Sequence, residues 1–266
     1  MHKIKGSLKR ILPASKINTL RKYKYGIAGW TARNDLTKLA IIFKSDKWGK
    51  HFYTPHYQHH FKDFKQKRIN LLEIGVGGNK SKTYGGASLR MWKHYFRKGN
   101  IYGVDIYDKS ALQEKRIKIF QGNQADDKFL IDLGKKVGPF DIIIDDGSHL
   151  NDHIISSFLN LFPYLNKGGV YVVEDIQTSY WEFFGGSSKD LNKRGTAMNF
   201  FKSLADGINH SEYILKDYQP SYLDLNIVSL HFYHNLVFVY KGENTELSSF
   251  IENNQIPENY DSNKER

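Results

Sequence analysis

From residue 69 onward, short continuous apolar runs take turns with longer stretches whose apolar positions recur every three or four residues. Runs of the first kind read as buried strands, the second as helices with one face turned inward. Strands are predicted over Ile69–Val76, Asn100–Ile106, Arg116–Phe120, Phe140–Asp145 and Gly169–Val173. Helices are predicted over Ala87–Phe96, Asp127–Lys136, Asn151–Tyr164 and Ala197–Ala205. In the first helix Leu89, Trp92, Tyr95 and Phe96 share one side. Gly168-Gly169 marks a tight turn before the fifth strand. Leu225–His231 and Leu236–Tyr240, with a short turn between them, form a hairpin. Strand–helix alternation closed by a hairpin predicts an α/β fold: a mostly parallel sheet with one antiparallel strand and helices on both faces. Alternation alone is shared by every doubly wound fold.

Upstream of residue 69 the pattern is different. Residues 1–46 are basic and partly amphipathic, and Asp35–Phe43 reads as a helix capped by Asn34 or Asp35. Residues 47–64 are dense in aromatics and histidine, and Pro55 opens a helix there. At the other end, the tail from Gly242 is polar and is expected to fray after Ile251. Three parts follow: a basic helical extension over 1–46, a main domain over 47–242 and a polar tail over 243–266.

Charge sharpens this division. Residues 1–68 carry 17 Lys+Arg against 3 Asp+Glu, whereas residues 69–266 carry 22 against 25. The net charge of +11 therefore belongs to the N-terminal part. Such an arm suits an anionic membrane surface or nucleic acid, or is simply a solvated appendage. Nucleic acid ranks behind, because no RNA-binding module accompanies the charge. The chain has no cysteine, which excludes disulfides and thiolate chemistry and fits a reducing cytoplasm. No secretory leader or membrane-length apolar run is seen, so the expected location is cytoplasmic, with peripheral contact at the inner membrane face.

The candidate chemistry sits at strand ends. Asp145-Asp146-Gly147-Ser148-His149 follows the fourth strand and Glu174-Asp175 follows the fifth. Ligands of open α/β sheets bind beyond the carboxyl ends of the strands. Asp146, Glu174 and Asp175 there suit a hard divalent cation, Mg²⁺ or Mn²⁺, and three acids without basic neighbours in sequence would need one. His149 suits a general base. After the first strand, Glu73-Ile74-Gly75-Val76-Gly77-Gly78 lets the backbone turn and approach a ligand. No helix follows directly, which makes a poor pyrophosphate cradle. Glu73 is expected to favour a cationic sulfonium over phosphate. Asp105 ends the second strand, where an acid accepts both ribose hydroxyls. Together these favour S-adenosylmethionine over a dinucleotide. The polar Gln124, Ala125 and Asp126 after the third strand are candidates for contacting the adenine. Residues 176–194 are rich in Gly, Ser and aromatics and read as a flexible lid, with Thr178, Tyr180 and Trp181 toward the acceptor. His56 and His60 have the i, i+4 spacing of a helical zinc pair, but neighbouring lysines oppose a cation, and a packed or substrate-facing aromatic segment fits better.

The segments EIGVGG, GVDIYD, QGNQAD, IIIDDGSH and VVEDIQTSYW, preceded by DKWGKHFYTPHY, resemble the macrolide sugar O-methyltransferases over roughly residues 45–185. The resemblance implies a Rossmann-like class I methyltransferase fold, S-adenosylmethionine and Mg²⁺ as cofactors, and a sugar hydroxyl as acceptor. It implies Asp146, Glu174 and Asp175 as metal ligands and His149 as the base. Glu73, Gly75, Gly77, Asp105, Asp145 and Gln124–Asp126 take cofactor positions, with Tyr53 and Thr54 in a segment closing over the cofactor. It is compatible with a homo-oligomer. The basic N-terminus departs from the macrolide enzymes, so a surface polysaccharide or another glycoside is an equally good acceptor. Competing readings are a nucleic-acid or phenolic methyltransferase, an oxygenase-like relative and a non-catalytic scaffold of a glycan-synthesis complex.

Overall fold

A computed structural model of the chain describes residues 25–257. The frame is a seven-stranded sheet of order β3-β2-β1-β4-β5-β7-β6. Its strands are β1 (Asn70–Ile74), β2 (Asn100–Asp105), β3 (Ile117–Gln121), β4 (Phe140–Asp145), β5 (Leu165–Glu174), β6 (Ile227–Tyr233) and β7 (Leu236–Lys241). Strands β1 to β5 pair in parallel, while β7 runs antiparallel to both β5 and β6. The sheet is therefore mostly parallel with one antiparallel strand, as the alternation and hairpin imply.

Both faces of the central strands are buried, which explains their nearly unbroken apolar sequence. Successive residues point to opposite faces. Leu71, Ile142, Ile144, Val170, Val172 and Phe238 join one core layer; Leu72, Ile143, Tyr171, Val173, Val237 and Val239 join the other. The first layer is covered by α1 (Leu36–Phe43), α2 (Thr54–Phe61) and α3 (Ala87–Tyr95). The second is covered by α4 (Asp127–Val137), α5 (Asn151–Leu161) and α6 (Ala197–Ile208). A short α7 (Tyr222–Asn226) leads into β6.

Several expected boundaries move. Asp35 caps α1 by accepting from the Lys38 N–H, but Leu36, Leu39 and Ala40 are wholly buried in the first core layer. The expected division at residue 46 thus cuts through the domain, which includes α1; residues 1–24 of the expected extension lie outside the described residues. Gly168-Gly169 does not precede β5 but lies within it. Leu165 pairs with Phe140 and Val170 with Ile142, so the extra residues loop out between these two registers. The hairpin turn tightens to His234-Asn235, with Asn235 at φ 63° supplying the left-handed bend. The tail is tied down as far as it is described: Asn244 donates to the Ile208 and Asp224 carbonyls, and Asn254 to those of His210 and Tyr213.

Candidate active site

The carboxyl ends of β1, β2 and β4 open on a cleft of about 670 Å³, a size typical of small-ligand sites. Gly75, Gly77, Asp105, Gln124, Asp146 and His149 all line it. Gly75, at φ +93°, passes so close to β4's exit that a Cβ would lie 2.0 Å from the Asp146 carbonyl oxygen. Only glycine permits that crossing. Residues 77–86 then loop out before α3 starts at Ala87, but the loop returns: the Gly86 N–H donates to the Val76 carbonyl at 2.7 Å, and Ala87 and Ser88 at the helix N-terminus line the same cleft as the glycines, which the intervening polar run does not suggest. Lys109, fully buried, ties this loop by donating to the carbonyls of Asn79 and Ser81 at 2.6 and 2.8 Å and of Tyr84 at 3.3 Å. Asp105 Oδ2 accepts from the Val76 N–H and Oδ1 from the Tyr107 N–H. Each oxygen keeps acceptor capacity toward the cleft.

On the β4 side, Gln124 covers Asp145. The Gln124 amide donates to both Asp145 oxygens at 2.8 and 3.0 Å, and burial raises the Asp145 carboxyl to about 6. Asp145 itself is thus beneath the cleft wall. Ala125 and Asp126 are not on the wall: Asp126 caps α4 by accepting from the Phe129 N–H.

The acids at the ends of β4 and β5 divide into two groups that share Asp146. Oxygens of Asp146 and Asp175 and a ring nitrogen of His149 lie within 4.8 Å of one another at the cleft side. His149 Nε2 is 3.8 Å from Asp175 Oδ2. Both His149 and Asp175 are in the left-handed region, at φ 59° and 52°, which re-aims their side chains relative to the preceding strands. The inner group is Glu73, Asp146 and Glu174. Among these three the structure places Lys47, a residue that strand-end reasoning misses. Its Nζ is 2.9 Å from Asp146 Oδ2, 2.5 Å from Glu174 Oε1 and 3.1 Å from Glu73 Oε1, with no solvent exposure. Glu73 therefore does not face the cleft; it is buried against Lys47 and accepts from Trp92 Nε1. The acids do have a basic partner, 99 residues from Asp146 in sequence.

One ammonium does not balance this set. Burial tends to lower the Lys47 ammonium, but Asp146, Glu174 and Glu73 outweigh it and hold it charged. Burial, opposed in part by Lys47, lifts Glu73 to about 7. Burial and the Asp146 charge lift Glu174 well above the carboxylate range. Burial also works to raise Asp175, but donation from Tyr53 with the His51 and His149 imidazoles leaves it below its ordinary value. Three carboxyl groups crowd one ammonium and Asp175 lies beside them, and the raised Glu73 and Glu174 show that the acids are too close to be ionised together without a further cation, for which oxygen donors are the ligands a hard divalent ion prefers. The donor set fits such an ion.

Tyr53 and Thr54 do not line the cleft. Tyr53 is buried and donates to Asp175 Oδ1 at 2.6 Å, and Thr54 bonds Thr37 on α1. The lid is anchored rather than free in its first half. Asn151 at the start of α5 accepts from Ser179 and the Ala197 N–H and donates to the Phe184 carbonyl. Thr178 is buried, while Trp181 is exposed and stacks on Phe183. His56 and His60 form no metal group: the His60 ring nitrogens are taken by the Tyr233 and Tyr240 hydroxyls.

No family model matches the chain. Comparison with known proteins does give close relatives. The mycinamicin VI 2''-O-methyltransferase of Micromonospora griseorubida is 48% identical over 223 residues, covering 83% of this chain and 56% of that protein. The demethylmacrocin O-methyltransferase of Streptomyces fradiae is 46% identical over 224 residues, again 83% and 56%. Over the shared segment, this chain belongs to the macrolide sugar O-methyltransferase family. The family's fold is matched too. The MycE methyltransferase from the mycinamycin pathway, solved with Mg, SAH and mycinamycin VI, superposes with a TM-score of 0.77 at 49% identity, covering 80% of this chain and 55% of that one. The chain spans about half the length of the macrolide sugar O-methyltransferases it matches.

Proposed function

We propose that this protein transfers a methyl group from S-adenosylmethionine to a sugar hydroxyl, on a glycoside, surface polysaccharide or natural-product glycan, with a bound divalent cation. The observation that carries the reading is the shared wall: Asp146 and His149 line the same cleft as Gly75 and Asp105. A cofactor site and an acid–imidazole site thus adjoin. The relatives named as O-methyltransferases, one of them for a rhamnosyl tetracenomycin, support the same reaction class.

In this reading Asp105 accepts hydrogen bonds from the ribose hydroxyls, and the Gly75 crossing admits the cofactor against the backbone. Gly77 and Gln124 complete the cofactor wall. Asp146, Glu174 and Asp175 would hold Mg²⁺, which when bound supplies Lewis acidity and orientation to the acceptor hydroxyl. His149 accepts the hydroxyl proton at Nε2, and Asp175 opposite it stabilises the imidazolium. Trp181, with Tyr180 beside it, offers an aromatic face to the sugar. The basic N-terminal part meets an anionic membrane surface.

Calorimetric titration of S-adenosylmethionine into the wild type, Asp105→Ala and His149→Ala tests this, with methyl transfer to mycinamycin VI and to simple 6-deoxyhexose glycosides as the second readout. Asp105→Ala is expected to lose binding. His149→Ala is expected to keep it and lose transfer by about 10²–10⁴-fold. Absence of cofactor binding by the wild type sinks the methyltransferase reading, and wild-type turnover in His149→Ala removes that residue as base.

A further inference from the structure

Each of the three carboxylates at the ends of β4 and β5 has one oxygen engaged by a donor from the segment before β1. Asp146 Oδ2 accepts from Lys47 Nζ at 2.9 Å. Glu174 Oε1 accepts from Lys47 Nζ and from the Tyr57 hydroxyl, both at 2.5 Å. Asp175 Oδ1 accepts from the Tyr53 hydroxyl at 2.6 Å, with His51 Nδ1 at 3.4 Å. Lys47, Tyr53 and Tyr57 are all buried, and Lys47 is further held by Glu73 at 3.1 Å. Among the described residues no hydrogen bond engages Asp146 Oδ1 or Glu174 Oε2, and Asp175 Oδ2 faces His149.

We propose that Lys47, Tyr53 and Tyr57 restrict these carboxylates to one free oxygen apiece and thereby make the site select Mg²⁺ over Ca²⁺. The inference rests on the divalent-cation reading above. Mg²⁺ demands near-octahedral geometry, takes one oxygen per carboxylate and keeps several waters. Ca²⁺ takes six to eight oxygens and reaches that number largely by bidentate carboxylates. Bidentate binding here would break a hydrogen bond from a buried donor to a carboxylate, a bond strengthened by the charge. The three donors lie on α2 or in the Asp46–Tyr53 loop before it, so one short segment sets the denticity of ligands on two strands.

The test is calorimetric titration of MgCl₂ and, separately, CaCl₂ into the full chain without cofactor, for the wild type, Tyr53→Phe, Tyr57→Phe and Lys47→Met. The wild type is expected to bind Mg²⁺ more tightly than Ca²⁺. Tyr53→Phe, by removing the hydroxyl that holds Asp175 Oδ1, is expected to shift the ratio of the two dissociation constants toward Ca²⁺ by about fivefold or more, and Tyr57→Phe, which leaves Lys47 on Glu174 Oε1, to shift it the same way by less. Lys47→Met is expected to shift it the same way; if burial of unpaired acids prevents that variant from folding, the tyrosine variants decide the matter. A ratio unchanged from wild type in both tyrosine variants overturns the inference and leaves the cation reading standing. Failure of the wild type to bind either ion removes the cation reading itself.

Discussion

Lys109 organises the glycine-loop side of the cleft without meeting a carboxylate. Its buried ammonium holds three carbonyls of the loop over residues 77–86, next to the glycines that line the cleft. Lys109→Met leaves those carbonyls without a donor, at about 1–3 kcal/mol each if they stay buried. The loop is free to open toward solvent, so the cost is expected to fall on ligand binding rather than on global stability. S-adenosylmethionine affinity should drop about tenfold or more, which is 1.4 kcal/mol or more, with little change in melting temperature. Calorimetry beside thermal unfolding checks this, and unaltered affinity removes Lys109 from the site. At this scale the sequence was readable only in part. Asp105, Asp146 and His149 stand out because chemistry-bearing types end apolar runs, and the structure brings them to one cleft. Lys47 and Lys109 are two among 39 Lys+Arg, and nothing local distinguishes a buried lysine from a solvated one. The side to which Glu73 turns is hidden for the same reason, since it meets a lysine 26 positions upstream.

At the scale of elements, the centres of strands and helices were legible and their ends were not. A continuous apolar run fixes a buried strand, but the loop-out within β5 and the anchoring of residues 176–186 by Asn151 depend on tertiary hydrogen bonds that leave no period in the sequence. The histidine-rich α2 is the clearest case. Its spacing resembles a metal pair, yet His60 stacks on Phe238 at 4.0 Å and bonds two tyrosine hydroxyls of the β6–β7 hairpin. Burial, with the nearby His231, His59 and His56, depresses His60 to about 4, and His56 and His231 are lowered as well. The folded state thus binds protons less readily than the unfolded chain, whose histidine titrates near 6.5. The stability that His60 contributes is complete above pH 6.5 and is lost as the pH falls toward 4. His60→Gln removes that titration while retaining a hydrogen-bonding group. Its melting temperature is expected to fall less than that of the wild type between pH 6.5 and 4.5. Parallel curves in thermal unfolding would show that the α2–hairpin packing does not sense pH.

For the molecule as a whole, fold and charge are separate designs. The part from residue 69 onward is nearly balanced and carries the sheet, whereas residues 1–24 alone hold 8 Lys+Arg and no Asp or Glu. Directly after them, Tyr25, Ile27 and Trp30 are exposed, as is Ile41 on α1, so basic and apolar groups adjoin in the chain. No helix among the described residues is long and apolar enough to cross a membrane. Peripheral attachment combines these two kinds of group: each basic residue near an anionic surface contributes about 1 kcal/mol, and exposed aromatic and aliphatic side chains settle at the interface. Cosedimentation of the full chain with phosphatidylglycerol-containing vesicles is therefore expected, with none on pure phosphatidylcholine. Because the attraction is screened beyond about 10 Å at 0.1 M salt, recovery should decline steadily with ionic strength, and Trp30→Ala should lower the residue of binding that persists at high salt. RNA offers the same charge without an apolar interface, so it competes for the electrostatic part only. Equal recovery on both vesicle types, or salt-sensitive binding to RNA with none to vesicles, would remove the membrane from the partners of this chain.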